Sequence, residues 1–115
     1  MMNRIHNVKN PWQGKDKKVL CVCSAGLLRS PTAAFVLAKE YGYNTRAVGL
    51  EKEFALICID DVLLEWADEV VCMTSDQQKA LSLLTNHPVK CLDIEDSFSY
   101  MDPELIELIL QKYEA

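Results

Sequence analysis

Glycine and proline are scarce, four of each in 115 residues. Together with a half-hydrophobic composition, this excludes a collagenous repeat, a low-complexity linker and a disordered tail. Long apolar runs are missing as well. None exceeds six residues, Phe54 to Ile59 being one such run, against the ~20 that a bilayer-spanning helix needs. Residues 1–18 lack the apolar core of a secretory signal, so a cytoplasmic protein without a membrane span is expected. The five cysteines contain no Cys-x-x-Cys pair, and an odd number of them in a chain with no export signal argues against both a structural zinc site and a disulfide framework. Positive charge is short in the body of the chain. Residues 19–115 carry seven Lys or Arg against sixteen Asp or Glu, whereas residues 1–18 carry five against one. An acidic globule is poor material for tracking phosphates along DNA or RNA, so no nucleic-acid partner is expected.

The length fits one domain with one core. Residues 1–17 read as a basic N-terminal extension, a solvated edge more than a membrane or partner contact, and 18–115 read as the domain. Lys18 to Cys23 is an apolar, β-branched run of the kind a buried strand shows. After a short loop, Ser30 and Pro31 look like the cap and first residue of a helix that carries Ala34, Phe35, Leu37, Ala38 and Tyr41 and stops at Gly42. Thr45 to Val48 reads as a second strand, and 51–59 is open between helix and strand. Asp60 caps a helix through Trp66, and Glu69 to Met73 is a third strand. Thr74 and Ser75, each followed three residues later by Gln, give capping-box patterns for a helix to about Thr85. Val89 to Leu92 is a fourth strand, and Asp102 and Pro103 start a last helix. The alternation predicts an α/β fold, a small doubly wound four-stranded parallel sheet with helices on both faces. Ligands of such sheets bind at the carboxyl ends of the strands, and the loop from Cys23 to Ser30 lies there.

That loop is built like an anion cradle. A cysteine ends the strand, Ser24, Ala25, Gly26, Leu27 and Leu28 form a tight loop, and Arg29 and a hydroxyl residue open the helix. Converging amides, the positive helix end and a bidentate guanidinium suit a tetrahedral oxyanion such as phosphate. The same field favours a nucleophilic thiolate on Cys23. Gly26 can take the positive φ that converging amides require, and the Ser30 hydroxyl can donate to the sulfur or help it leave.

In these residues, Val22-Cys23-x5-Arg29-Ser30-Pro31, the sequence resembles the low-molecular-weight protein tyrosine phosphatases. The Ala67-Asp68 segment before a strand ending in Met73, and the stretch from Leu92 through Met101-Asp102-Pro103-Glu104-Leu105, resemble a compact bacterial subgroup of that family. The resemblance covers roughly residues 19–112 and implies a phosphatase I-like fold, a phosphocysteine intermediate on Cys23, no metal or other cofactor, and a phosphotyrosine protein or small aryl phosphate as substrate. By the same resemblance Asp96 is the general acid, with Asp93 and Glu95 as rivals and Asp102 as a helix cap, while Phe98 and Tyr100 either flank the substrate ring or serve as plain packing. Some positions depart from the pattern. Gly26 stands where the family has Asn, Leu28 replaces a frequent second cysteine, and Ala47-Val48-Gly49-Leu50 replaces the usual motif after the second strand. With Leu28 in that place, Cys21 is left as a strained disulfide partner for Cys23 or as a core residue. Cys58, Cys72 and Cys91 read as small buried hydrophobes, and Trp66 and Met73 as core.

Three other functions share parts of the pattern. A IIB-type phosphocysteine carrier of a sugar-transport system has a similar Cys-Ser-Ala-Gly loop but tends to place a hydroxyl residue at the position of Arg29. An arsenate reductase needs two neighbouring shuttle cysteines, which the separation of Cys72 and Cys91 in sequence does not suggest. A non-catalytic phosphotyrosine-binding module would keep the cradle without turnover.

Overall fold

The computed structural model describes residues 17–23, 29–50, 58–95 and 98–114. Among these residues four strands, β1 (Lys18–Cys23), β2 (Asn44–Gly49), β3 (Glu69–Cys72) and β4 (Val89–Cys91), alternate with four helices, α1 (Arg29–Tyr41), α2 (Asp61–Trp66), α3 (Ser75–Ser82) and α4 (Pro103–Glu114). All strand pairs are parallel, in the order β2-β1-β3-β4. The chain therefore moves outward from β1 on one side, then crosses back to its other side. Chain direction across the sheet reverses at β1, and this is where open α/β sheets form a crevice at their carboxyl ends. Cys23, paired with Gly49 in register, is the last residue of that strand.

Burial on both faces explains why β1 is apolar without alternation from Val19 to Cys23. Val19, Cys21 and Cys23 join Ala33, Ala34, Val36 and Leu37 of α1 and Leu105 and Ile109 of α4 in one cluster. Leu20 and Val22 face the other way, toward Leu63 and Leu64 of α2 and Leu81 of α3. The doubly wound α/β architecture with helices on both faces is thus as expected, and Met73 is wholly buried while Trp66 packs at the margin under the Arg46 guanidinium. Among the described residues no helix is long and apolar enough to cross a membrane.

Most of the predicted boundaries hold to within a residue or two. Asp60 accepts the Leu63 N–H at 2.9 Å as the cap of α2, and Asp102 accepts the Glu104 N–H at 2.9 Å at the start of α4. Of the two capping-box patterns before α3, the one used is Thr74 with Gln77. Helix α3 stops at Ser82, short of Thr85. Of the open stretch 51–59, residues 51–57 lie outside the described residues and Cys58 forms a single parallel bridge to Gly49. One expectation is corrected. Helix α1 starts at Arg29, so Ser30 lies inside its first turn and is not the cap. Its hydroxyl is taken by groups outside the helix, described below. Pro31 fits there because the first N–H groups of a helix have no partner within it.

Gln77 does more than cap. Its buried Oε1 accepts N–H groups from both Met73, at 2.9 Å, and Thr74, at 3.2 Å, fixing the exit of β3. Truncating it leaves the buried Met73 N–H without an acceptor, at ~1–3 kcal/mol when unpaired, and takes the acceptor from the half-buried Thr74 N–H as well. Gln77→Ala should therefore lower the urea midpoint of unfolding by an amount equivalent to ~2 kcal/mol or more. An unchanged midpoint would mean that water replaces the amide oxygen.

Candidate active site

At the joint between β1 and α1, three polar side chains are almost completely withdrawn from solvent: Cys23 at 3 %, Arg29 at 3 % and Ser30 at 0 % exposure. Buried polar groups need partners. The Cys23 Sγ donates to the Ser30 Oγ at 3.2 Å, and that hydroxyl donates in turn to the Val48 carbonyl of β2, also at 3.2 Å. The carbonyl of Cys23 accepts the Leu50 N–H at 2.8 Å, so the end of β1 is tied to the exit of β2 by main chain as well.

Arg29 reaches across the sheet end. One terminal nitrogen of its guanidinium donates to the Ile94 carbonyl at 2.8 Å. Ile94 belongs to the segment that follows β4, and its own N–H donates to the Met73 carbonyl at 2.9 Å. Asp93, just before it, has φ 56°, a left-handed backbone that a non-glycine residue adopts at a cost. The carboxyl ends of β1, β2 and β3 and the segment after β4 therefore meet at the cysteine, hydroxyl and guanidinium.

Of the residues expected in the site, Cys23, Arg29 and Ser30 are brought together. Ser24, Ala25, Gly26, Leu27 and Leu28 of the loop lie outside the described residues, and so does Asp96. Among its rivals, Asp93 and Glu95 are exposed and line a cavity of about 470 Å³ with Thr74, Ile94, Phe98, Leu108 and Lys112. Phe98 is half-buried and packs against the cluster of α1 and α4, whereas Tyr100 is 55 % exposed. No group of three or more candidate metal ligands occurs among the described residues.

Sequence reasoning passed over the two carbonyls, Val48 and Ile94, and Thr32. The Thr32 Oγ1, wholly buried in α1, accepts the Met101 N–H at 3.0 Å. Nothing in the sequence singles Thr32 out, since Arg29 and Ser30 are buried polar residues of the same helix. A scan against protein-family models finds no match, and a search of curated proteins finds no significant one.

The other cysteines divide by burial. Cys21 and Cys72 are fully buried, Cys58 and Cys91 half-buried, and no disulfide joins any of the five. Thus Cys58 and Cys91 are less enclosed than expected. Cys21 is raised far above the usual thiol range by burial first, then by Cys23 and Glu69. Burial and then the neighbouring Cys91, its partner across β3 and β4, push Cys72 up to about 12. A raised value keeps the proton on, and only the thiolate alkylates. Cys21 and Cys72 should both resist iodoacetamide in the folded protein and react once it is unfolded, as read by peptide mass mapping. Rapid labelling of either in the native state would contradict the burial described.

Proposed function

We propose that this protein hydrolyses phosphotyrosine and related aryl phosphate monoesters through a phosphocysteine on Cys23. The reading rests on one observation above the others: a cysteine at the carboxyl end of the central strand, its sulfur 3.2 Å from a buried hydroxyl, beside a buried arginine at the start of the next helix. The Cys-x5-Arg-Ser-Pro spacing supports it further.

In the first step the Cys23 thiolate attacks phosphorus in line with the leaving oxygen, an S–P bond forms, and the P–O bond to the aryl group breaks. As the thiol ionises it has no proton left to give, and the Ser30 hydroxyl can turn its single hydrogen from Val48 to the sulfur. Ser30 then steadies the anion before attack and again when it leaves. Arg29, anchored by the Ile94 carbonyl, binds equatorial oxygens of the transferring group with its planar fork, and the amides of Ser24 to Leu28 complete the cradle. Asp96, two residues beyond the carbonyl that Arg29 holds, gives its proton to the departing phenolate. In the second step water attacks the phosphocysteine, Asp96 takes the water's proton, and inorganic phosphate leaves with the thiolate restored. The thiolate supplies the nucleophile, so neither step calls for a metal. Cysteines outside any disulfide and an acidic body fit the cytoplasm as its place of work.

Paired assays test this reading. Cys23→Ser should abolish hydrolysis of phenyl phosphate, and EDTA should leave the wild type unchanged. Asp96→Asn should slow phenyl phosphate by ~10² to 10⁴ and a nitrophenyl phosphate, whose leaving group departs readily as an anion, by less than about tenfold. Activity that survives Cys23→Ser, or that needs a divalent metal, would overturn the mechanism. Leaving-group dependence in Asp93→Asn in place of Asp96→Asn would move the acid and keep the hydrolase. Phosphotyrosine binding without turnover would favour a binding module.

A further inference from the structure

We propose that Cys72 and Cys91 form an oxidative modification site: a hydroperoxide oxidises Cys91, and the neighbouring Cys72 thiol then closes a disulfide that pins β4 to β3. The proposal is independent of the hydrolase reading and uses no residue of the candidate active site.

Sheet register carries it. Cys72, the last residue of β3, and Cys91, the last of β4, are direct partners in the parallel ladder. Neighbouring strands lie about 4.8 Å apart, within the roughly 4.4–6.8 Å between Cα atoms that a disulfide spans. The bond therefore calls for no movement of one strand toward the other. Partners in register also share a face of the sheet, and both cysteines belong to the cluster under α2 and α3. The two thiols act on each other, since Cys91 raises Cys72 by its charge and through a side-chain hydrogen bond. Main-chain bonds close the ladder on either side of the pair: Val70 N–H donates to the Pro88 carbonyl and Leu92 N–H to the Cys72 carbonyl, each at 2.9 Å.

Access sets the order of events. Cys72 has no exposed surface, whereas Cys91 is half-buried on β4 at the edge of the sheet. A hydroperoxide therefore meets Cys91 first. The Cys91 thiolate attacks the peroxide, an S–O bond forms, the O–O bond breaks, and the departing oxygen takes a proton to leave as water or an alcohol. The product is a sulfenic acid. The Cys72 sulfur then attacks the Cys91 sulfur, the S–S bond forms, the S–O bond breaks, and the hydroxyl leaves as water with the Cys72 proton. Two thiols together lose two electrons, and one hydroperoxide gains them. The proton that burial keeps on Cys72 protects it from outside reagents, but a partner fixed beside it acts at high effective concentration. The remaining cysteines are turned elsewhere. Cys21 and Cys23 lie in the cluster on the opposite face, and Cys58 bridges to Gly49 of β2, with β1 between it and β3. The pair is thus no relay for Cys23. Closing the loop from Cys72 to Cys91 restricts the unfolded chain, so the oxidised protein is the more stable form.

The test is a titration of the reduced full-length protein with hydrogen peroxide, followed by acid quench, alkylation of the remaining thiols and peptide mass mapping. Trypsin together with a glutamyl protease separates Val70–Lys79, which holds Cys72, from Cys91–Glu95. Peroxide should join these two peptides, two hydrogens lighter than their sum, in the majority of molecules. The link should form equally in Cys23→Ser and be absent in Cys91→Ser. Dimedone present during oxidation of the wild type should capture a sulfenic acid on Cys91 at the expense of the link, which reads the order of steps without a core variant, and in Cys72→Ala the dimedone adduct should replace the link entirely. The oxidised wild type should melt about 5 °C or more above the reduced protein, and dithiothreitol should return it to the reduced midpoint. Cys91→Ser treated in the same way should gain nothing. A link through Cys21, Cys23 or Cys58, a link between two copies, oxidation of Cys91 past the sulfenic acid without a link, or an unchanged or lower midpoint in the linked protein would each overturn the proposal. So would loss of the link in Cys23→Ser. Turnover of phenyl phosphate plays no part in any of these readings, so this proposal and the hydrolase reading fail separately.

Discussion

Burying a thiol, a hydroxyl and a guanidinium at the joint between one strand and one helix obliges the rest of the chain to supply partners for them. The hydroxyl and the guanidinium draw theirs from distant parts of the sequence. Val48, at the end of β2, takes the Ser30 hydroxyl; Ile94, after β4, takes Arg29; Cys23 lies against Ser30 itself. A charged group without a partner in a dry site costs far more than a neutral one, so the Arg29 to Ile94 bond sets where the segment after β4 can run. The topology follows the same demand. A parallel sheet brings the exits of β1, β2 and β3 and the segment after β4 to one end, and the strand order sets β2 and β3 on either side of β1.

This dependence separates what could be read from the chain from what could not. Strand β1 was legible because both of its faces are buried and its residues are apolar without interruption. The caps at Asp60 and Thr74 were legible because a cap and its target lie within three residues of each other. Ser30 was misassigned for a reason of the same kind. A hydroxyl before a proline at a helix start satisfies the pattern of a cap and that of a site residue equally, and what decides between them is a carbonyl 18 positions away.

Thr32 and Met101 lie further out of reach. They are 69 positions apart, and a threonine among alanines in a helix announces no partner. The turn at Tyr100 and Met101 contains neither glycine nor asparagine at the position with positive φ, so nothing local announced it either. The spacing from Cys23 to Ser30 was legible because the chemistry it encodes is compact, with nucleophile, loop and guanidinium contiguous in the chain. The proton donor is not contiguous with them. Asp96 was reached only by resemblance, and it lies outside the described residues.

The account stands on a covalent intermediate at one sulfur atom. Rapid mixing of the protein with phenyl phosphate, followed by acid quench within milliseconds and peptide mass mapping, examines that atom directly. The account predicts a phosphoryl group on the peptide that contains Cys23, transient in the wild type and longer-lived when Asp96 is replaced by Asn. A phosphoryl group on another residue, or turnover with no phosphopeptide at any quench time while Cys23→Ser remains active, would contradict it.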